Sequence, residues 1–367
     1  MTLLSSSADP LLAAEQKRLC LCLCLFLILF FAFPLLAAEE KPVNFIPTKP
    51  NPLIGDWQGK SSPCVAQIYF AEDGNYQANL LKQFDTESNV LAVLHGTTSG
   101  DTITFNGDGW SATLAHKHFK GGKQPLSQPS SQPLSLGEND FKSSKDSESF
   151  DLQPITRTSP TLGAKPPKGA VVLFGGHDLD AWAKKNGKQW LTEDGPAQWK
   201  ILPDGALEVV PGTDCIITHQ KFGDCHLHVE FRTLGLRCNS GVFIQTRYEA
   251  NINETYGRLD RSPNAGFDNC LPSSGKPRIR PCFPPLAWQT FDIDFRAPRF
   301  DASGTKTANA RATLLFNGVR IYDNQELDAP HLAAGRLGEA PTGPLMLQEH
   351  GMPVQFRNIW LLETGRD

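Results

Sequence analysis

The chain has 367 residues, 40% apolar and 20% charged, so most of it can build cores and global disorder is excluded. With 35 basic and 39 acidic residues the formal net charge is −4, which excludes a strongly basic nucleic-acid binder as the default. The 31 glycines and 28 prolines suit a loop-rich all-β protein better than a helical bundle, and the length suits two domains.

Leu19 to Leu36 is almost wholly apolar, with Lys17-Arg18 before it and Ala37-Ala38-Glu39-Glu40 after it. A basic flank, an apolar stretch and small residues at the end predict a secretory signal over residues 1–38. Export to the periplasm, cell surface or exterior is expected, with membrane attachment only if that segment stays uncleaved. Residues 39–52 are rich in Pro, Lys and Asn and read as a linker. Over 53–120 come short runs rich in β-branched and aromatic residues, at Val65–Phe70, Asn75–Leu81, Val90–His95, Thr102–Phe105 and Ser111–Leu114. Turn signals separate them, the pattern of a small antiparallel β-domain. Residues 121–168 begin Ser/Gln/Pro/Lys-rich and read as a low-complexity insertion and linker.

The segment 169–363 predicts a larger β-domain. Its strands are expected at Val171–Phe174, Trp199–Ile201, Ala206–Val210, Cys215–Thr218, His226–Arg232, Gly241–Tyr248, Gln289–Phe295, Ala312–Phe316, Leu345–Gln348 and Val354–Leu362. No stretch sustains helical apolar spacing over three turns. So many strands in one domain imply two stacked sheets, a sandwich of jelly-roll type. Export makes Cys64, Cys215, Cys225, Cys238, Cys270 and Cys282 candidates for disulfides, and Cys270 and Cys282, which bracket a Pro/Gly-rich loop, are expected to pair. No Cys-x-x-Cys or His-x-x-x-His spacing supports a zinc site.

Period-two alternation sorts the strand faces. Leu227, Val229 and Phe231 point to the core, leaving His226, His228, Glu230 and Arg232 opposite. Leu345 and Leu347 point inward, leaving Met346, Gln348 and His350. In Gly241–Glu249 the face with Gln245, Arg247 and Glu249 is polar, and Arg357 shares a face with Gln355. Glu, Arg, Gln and His recurring on several strands read as the floor of one concave sheet rather than as scattered surface ion pairs. His350, at a strand end near such groups, is a candidate base.

Phe174-Gly-Gly-His-Asp-Leu-Asp-Ala-Trp182, Asn239-Ser-Gly-Val-Phe-Ile-Gln-Thr-Arg-Tyr-Glu249, Trp288-Gln-Thr-Phe-Asp292, Leu347-Gln-Glu-His-Gly351 and Phe356-Arg-Asn-Ile-Trp360 carry a resemblance. The segment from Gly169 to Glu363 resembles the 3-keto-disaccharide hydrolase family, and the small β-domain before it resembles an architecture seen in some members. The resemblance implies an all-β concanavalin-like jelly roll that cleaves glycosides already oxidised at C3, by hydrolysis or as a lyase/hydratase in two steps. Such chemistry needs a base for the acidified C2 hydrogen, a donor or cation for the enolate and an acid for the leaving oxygen.

On that resemblance His350 or Glu249 is the base, Arg232 the oxyanion stabiliser, and Glu230 and Glu254 acids or metal ligands. Asn239, Gln348, Arg247 and Arg357 would hold the sugar. The family's Tyr-Glu-Val-Gln-Ile-Leu-Asp-Ser-Tyr-Gly stands here as Tyr248-Glu-Ala-Asn-Ile-Asn-Glu-Thr-Tyr-Gly257, so Asn251 is shorter and Glu254 longer than the pattern; Glu349 likewise replaces its Asp. A divalent metal such as Ca²⁺ would suit an oxygen-rich site. The expected partner is a carbohydrate, not a nucleic acid. The alternative is a non-catalytic, lectin-like carbohydrate-binding module, for which exposed Trp or Tyr platforms are expected.

Overall fold

The computed structural model describes residues 51–365 except 72, 86–89, 125–147, 236–237, 259–265, 268–269, 271–278, 280, 329, 332–333 and 335–336. The expected leader, nearly all of the first linker and most of the expected insertion lie outside the described residues. No helix of the described residues is long and apolar enough to cross a membrane.

The chain is all-β. Eight antiparallel strands close a barrel: β1 (Gly55–Gln58), β2 (Val65–Phe70), β3 (Tyr76–Leu81), β4 (Val90–Ser99), β5 (Thr102–Gly107), β6 (Trp110–Ala115), β7 (His118–Lys123) and β8 (Ser149–Ile155). Alternation drives closure: Ile103 and Phe105, Trp110, Ala112 and Leu114, and Phe150 and Leu152 point inward around Trp57 and Phe119. Closure also removes the exposed edges that a small open sheet would present. Its last strand lies within the stretch read as insertion and linker, because Ser149, Asp151 and Gln153 dilute the apolar signal of β8. Lys123 N–H donates to Glu148 O at 3.0 Å, so the chain leaves and re-enters the barrel at one point of its rim.

After the barrel, Ser159–Ala164 forms a docked strap. The strap hydroxyl of Thr161 donates to Asp292 Oδ2 at 2.6 Å, the N–H of Gly163 donates to Glu230 Oε1 at 2.5 Å, and Ala164 O accepts from Asn358 Nδ2 at 2.9 Å.

The remaining strands are β9 (Val171–Phe174), β10 (Trp182–Asn186), β11 (Gln189–Pro196), β12 (Lys200–Ile201), β13 (Leu207–Glu208), β14 (Ile216–Phe222), β15 (Cys225–Thr233) and β16 (Asn239–Ile244). They continue with β17 (Tyr248–Asn253), β18 (Gln289–Arg296), β19 (Arg299–Phe300), β20 (Lys306–Ala308), β21 (Ala310–Phe316), β22 (Val319–Leu327), β23 (Gly343–Leu347) and β24 (Val354–Glu363). A six-stranded sheet runs β11-β10-β14-β23-β16-β17. An eight-stranded sheet runs β12-β13-β24-β15-β18-β21-β22, with β9 also on β24. Leu227, Val229, Phe231, Phe291, Ile293 and Phe295 from the larger sheet meet Val242, Ile244, Ala250, Ile252, Leu345 and Leu347 from the smaller in one core. Each such side chain contributes about 1.5–3 kcal/mol by leaving water.

Two expectations fail locally. Gly241–Tyr248 is not one strand: β16 and β17 are a hairpin whose turn, Gln245-Thr246-Arg247, puts Gln245 at φ 55° and Thr246 at φ 58°. Neither residue is a Gly or Asn, so the usual hairpin signature is missing, and the parity of every later residue is reset. The expected disulfide between Cys270 and Cys282 is not formed; all six candidate cysteines are buried, with no disulfide among the described residues.

The barrel docks on the turn after β17. Tyr256 OH donates to Asp56 Oδ1 at 2.8 Å and Asn79 Nδ2 donates to Gly257 O at 2.7 Å. Gly257 has φ +71°, and a Cβ there would collide with the Tyr69 ring. Gly257→Ala is therefore expected to destabilise the protein by about 2–3 kcal/mol, from left-handed backbone strain plus overpacking. A denaturant melt superposing on the wild type would show that this contact tolerates a methyl group.

Candidate active site on the outer face of the six-stranded sheet

The sandwich separates the expected site residues. Glu230, Arg232 and Arg357 lie on the outer face of the eight-stranded sheet, because Val229 and Phe231 beside them fill the core. Glu249, Asn239 and Gln348 lie on the outer face of the six-stranded sheet, since Ala250, Val242 and Leu347 fill the core from the other side. The convergence expected from alternation does not occur: alternation tells in from out but not which of two sheets a strand joins.

On the larger sheet the polar groups satisfy one another. Glu230 Oε2 accepts from Arg357 Nε at 2.6 Å, and its Oε1 from Asn358 Nδ2 at 2.8 Å and from the strap. Burial would raise its carboxyl, but hydrogen bonds from His228, Asn358, Arg357 and Gly163 outweigh it and hold the pKa at about 2. His228 is fully buried, 2.6 Å from Asp292, and stacked on Trp360. Arg232 donates to Gln355 at 2.5 Å and lies, like Arg357, over the Trp288 ring. With Glu230 saturated and roofed by the strap, this cluster fastens the strap to the sheet, and Glu230 itself is not free to meet a sugar.

Three other expected residues also stand apart. Arg247 sits in the hairpin turn, donating to Gly338 O at 2.5 Å and Gln245 O at 2.9 Å. Glu254 accepts from Thr233 Oγ1 at 2.6 Å and from Tyr256 N–H at 3.0 Å beneath the barrel, and burial raises its carboxyl to about 7. His350 is exposed beyond β23, in a loop where Glu349 Oε1 accepts from the N–H groups of Gly212 and Gly351.

The smaller sheet offers a different arrangement. Glu249 is paired across strands with Phe243, and its Oε2 lies 3.2 Å from His331 Nε2. His331 packs edge-on against Phe243. Burial lowers the pKa of His331, so its imidazole is neutral at pH 7 and its Nε2–H points at the Glu249 carboxylate. Glu249 covers Gly241, where a Cβ would come within 2.5 Å of Oε1. Phe243, Met346, Ile217 and Cys215 pack together beside the pair with Trp190 against them. Burial lifts the Cys215 thiol to about 11, so it supplies no thiolate at neutral pH.

Alternation and spacing gave no sign of His331. It lies in a loop, where no periodicity assigns a face, and its N–H donates to Arg247 O at 2.8 Å. The unsignalled hairpin turn thus also positions the histidine. Among the described residues no three His, Cys, Asp or Glu side chains are grouped to hold a metal ion.

Residues 169–362 match the family model described as a 3-keto-alpha-glucoside-1,2-lyase-like domain. The chain belongs to this family. It is thereby a glycoside-acting enzyme with a carbohydrate substrate. No curated protein matches the chain. Among solved structures, a candidate glycosyl hydrolase from Parabacteroides distasonis is 29% identical, over 54% of this chain and 85% of its own, with a TM-score of 0.46. A second from the same organism is 17% identical, over 54% of this chain and 95% of its own, with a TM-score of 0.39. The family domain takes in both Glu249 and His331 and leaves out the barrel.

Proposed function

We propose that the chain cleaves 3-keto glycosides on the outer face of the six-stranded sheet, with Glu249 and His331 as the proton-transfer pair. The observation that carries this reading is the 3.2 Å contact between His331 and Glu249, with Glu249 only 3% exposed. A ketone at C3 acidifies the C2 hydrogen. The pair takes that proton, the electrons form the C1=C2 bond, and the C1–O bond breaks toward the leaving alcohol, which accepts a proton. Water then adds at C1 of the enone and C2 regains a proton, so the net reaction is hydrolysis. Family membership supports the substrate class, and the apolar leader over 1–38 supports an exported enzyme.

An exposed aromatic platform would favour the lectin-like reading, but the exposed large apolar side chains among the described residues are Val90 and Val172, neither of them aromatic. Incubation with 3-keto-trehalose or a 3-keto-glucoside, with and without chelator, is expected to release 3-keto-glucose in both cases. Retained sugar binding with no release from any of a panel would establish a binding module instead.

A further inference from the structure

Past the strap, the outer face of the eight-stranded sheet carries an open cleft of about 520 Å³, with Asp294, Arg296, Arg311 and Thr313 in its wall. Phe295, Ala312 and Leu314 point to the core, so alternation turns these four side chains outward. Asp294 on β18 is directly paired with Thr313 on β21, and Arg296 with Arg311. Two cross-strand rows result, one of hydrogen-bonding oxygens and one of guanidinium groups. The two-residue step along β18 sets them roughly 7 Å apart.

Folding does not account for the basic row, because like charges directly opposite each other destabilise a sheet. Arg311 is stitched to β22: its Nε donates to Asn324 Oδ1 at 2.9 Å and its Nη1 to Glu326 Oε2 at 2.8 Å. A third arginine of the cleft, Arg299, donates to both oxygens of Asp224, at 2.8 and 2.5 Å. Ala297 N–H donates to Asp224 as well, so that carboxylate is fully committed. Arg296 is exposed, and its guanidinium makes no hydrogen bond or ion pair among the described residues. It keeps its whole donor fork for something outside the fold. Asp294 offers the complementary chemistry. Its Oδ1 lies 2.7 Å from His226 Nδ1, and that hydrogen bond holds its carboxyl below the ordinary value, so it is an acceptor at neutral pH.

We propose that this cleft is a docking site for an acidic sugar, a hexuronate residue whose carboxylate meets Arg296 and whose ring hydroxyls meet Asp294 and Thr313. A planar carboxylate matches the guanidinium fork in two parallel hydrogen bonds. A hexuronate carries that carboxylate on C5 and its C2 and C3 hydroxyls across the ring, so it engages both rows at once. A neutral sugar leaves Arg296 unused. An acidic peptide brings no hydroxyl donors for Asp294 and sets further carboxylates against it. The core lies between the cleft and Glu249, so the proposal does not depend on where a glycosidic bond is cleaved.

The test titrates methyl glucuronide, methyl galacturonide and methyl glucoside into the full chain by ligand-observed NMR, with sodium sulfate and a short glutamate peptide as probes of charge alone. At least one uronide is expected to bind roughly tenfold more tightly than the glucoside, a preference that fades with added salt. Arg296→Gln is expected to abolish that preference. Its side chain is exposed and unbonded, so the fold should survive, and a thermal melt checks this. Asp294→Ala is expected to weaken uronide binding without weakening sulfate binding. Binding of neither uronide, equal binding of the glucoside, or an unchanged preference in Arg296→Gln would overturn the proposal. So would sulfate or the glutamate peptide binding as tightly as the uronides, since charge alone would then explain the cleft.

Discussion

Glu249→Gln is expected to slow turnover of a 3-keto glycoside about a thousandfold, within the 10²–10⁴ range typical of positioned proton transfer, with little change in KM. Glutamine keeps the volume that covers Gly241 and still meets His331, but it cannot ionise, so it neither takes a proton nor orients the imidazole as a base. The pH profile gives a second readout. Burial places the His331 pKa below its ordinary value, so the wild-type rate should rise with pH through an acidic limb below about 6.5 and then level off. His331→Gln should remove that limb and lower the plateau. An unchanged plateau in Glu249→Gln, or a limb centred above pH 7, would show that the proton is moved elsewhere.

The second large effect concerns stability. Glu230→Ala is expected to cost about 3–5 kcal/mol, because it leaves the buried His228 and the half-exposed Arg357 without their shared carboxylate and releases the Gly163 N–H of the strap. The sign of its pH dependence follows from a folded pKa of about 2 against roughly 4.3 in the unfolded chain. The contribution is fully present above about pH 5 and drains away as pH falls toward 2; its size is about 3 kcal/mol. Urea melts at pH 7 and pH 3 check this: Glu230→Gln should already be destabilised at pH 7 and lose less than the wild type on acidification. Equal losses in both proteins would place the acid sensitivity elsewhere. Activity per folded molecule should change little at neutral pH, since the core separates this cluster from Glu249.

Much of the architecture was legible. Leu227, Val229 and Phe231 alternate cleanly because their strand is polar on one face, and the family motifs run in register across the sandwich domain. The site was legible only in part. Glu230 and Glu249 carry the same local pattern, yet one joins the sheet fastened by the strap and the other the opposite sheet. That choice is made by long-range pairing, which no window of the sequence contains. Gln245-Thr246-Arg247 turns the chain without a glycine, and this misassigned the faces of Gln245 and Arg247. His331 lies in a loop, and its placement depends on the backbone of that same turn.

The single exit and re-entry point on the barrel rim has a practical consequence. Lys123 and Glu148 are held together by a backbone hydrogen bond and a 3.6 Å contact of their charged ends, so the two ends of the connection from β7 to β8 are fixed beside each other. The entropy of closing a loop grows only with the logarithm of its length. Exchanging that connection for a fluorescent reporter or surface anchor is therefore expected to leave the β7–β8 pairing in place.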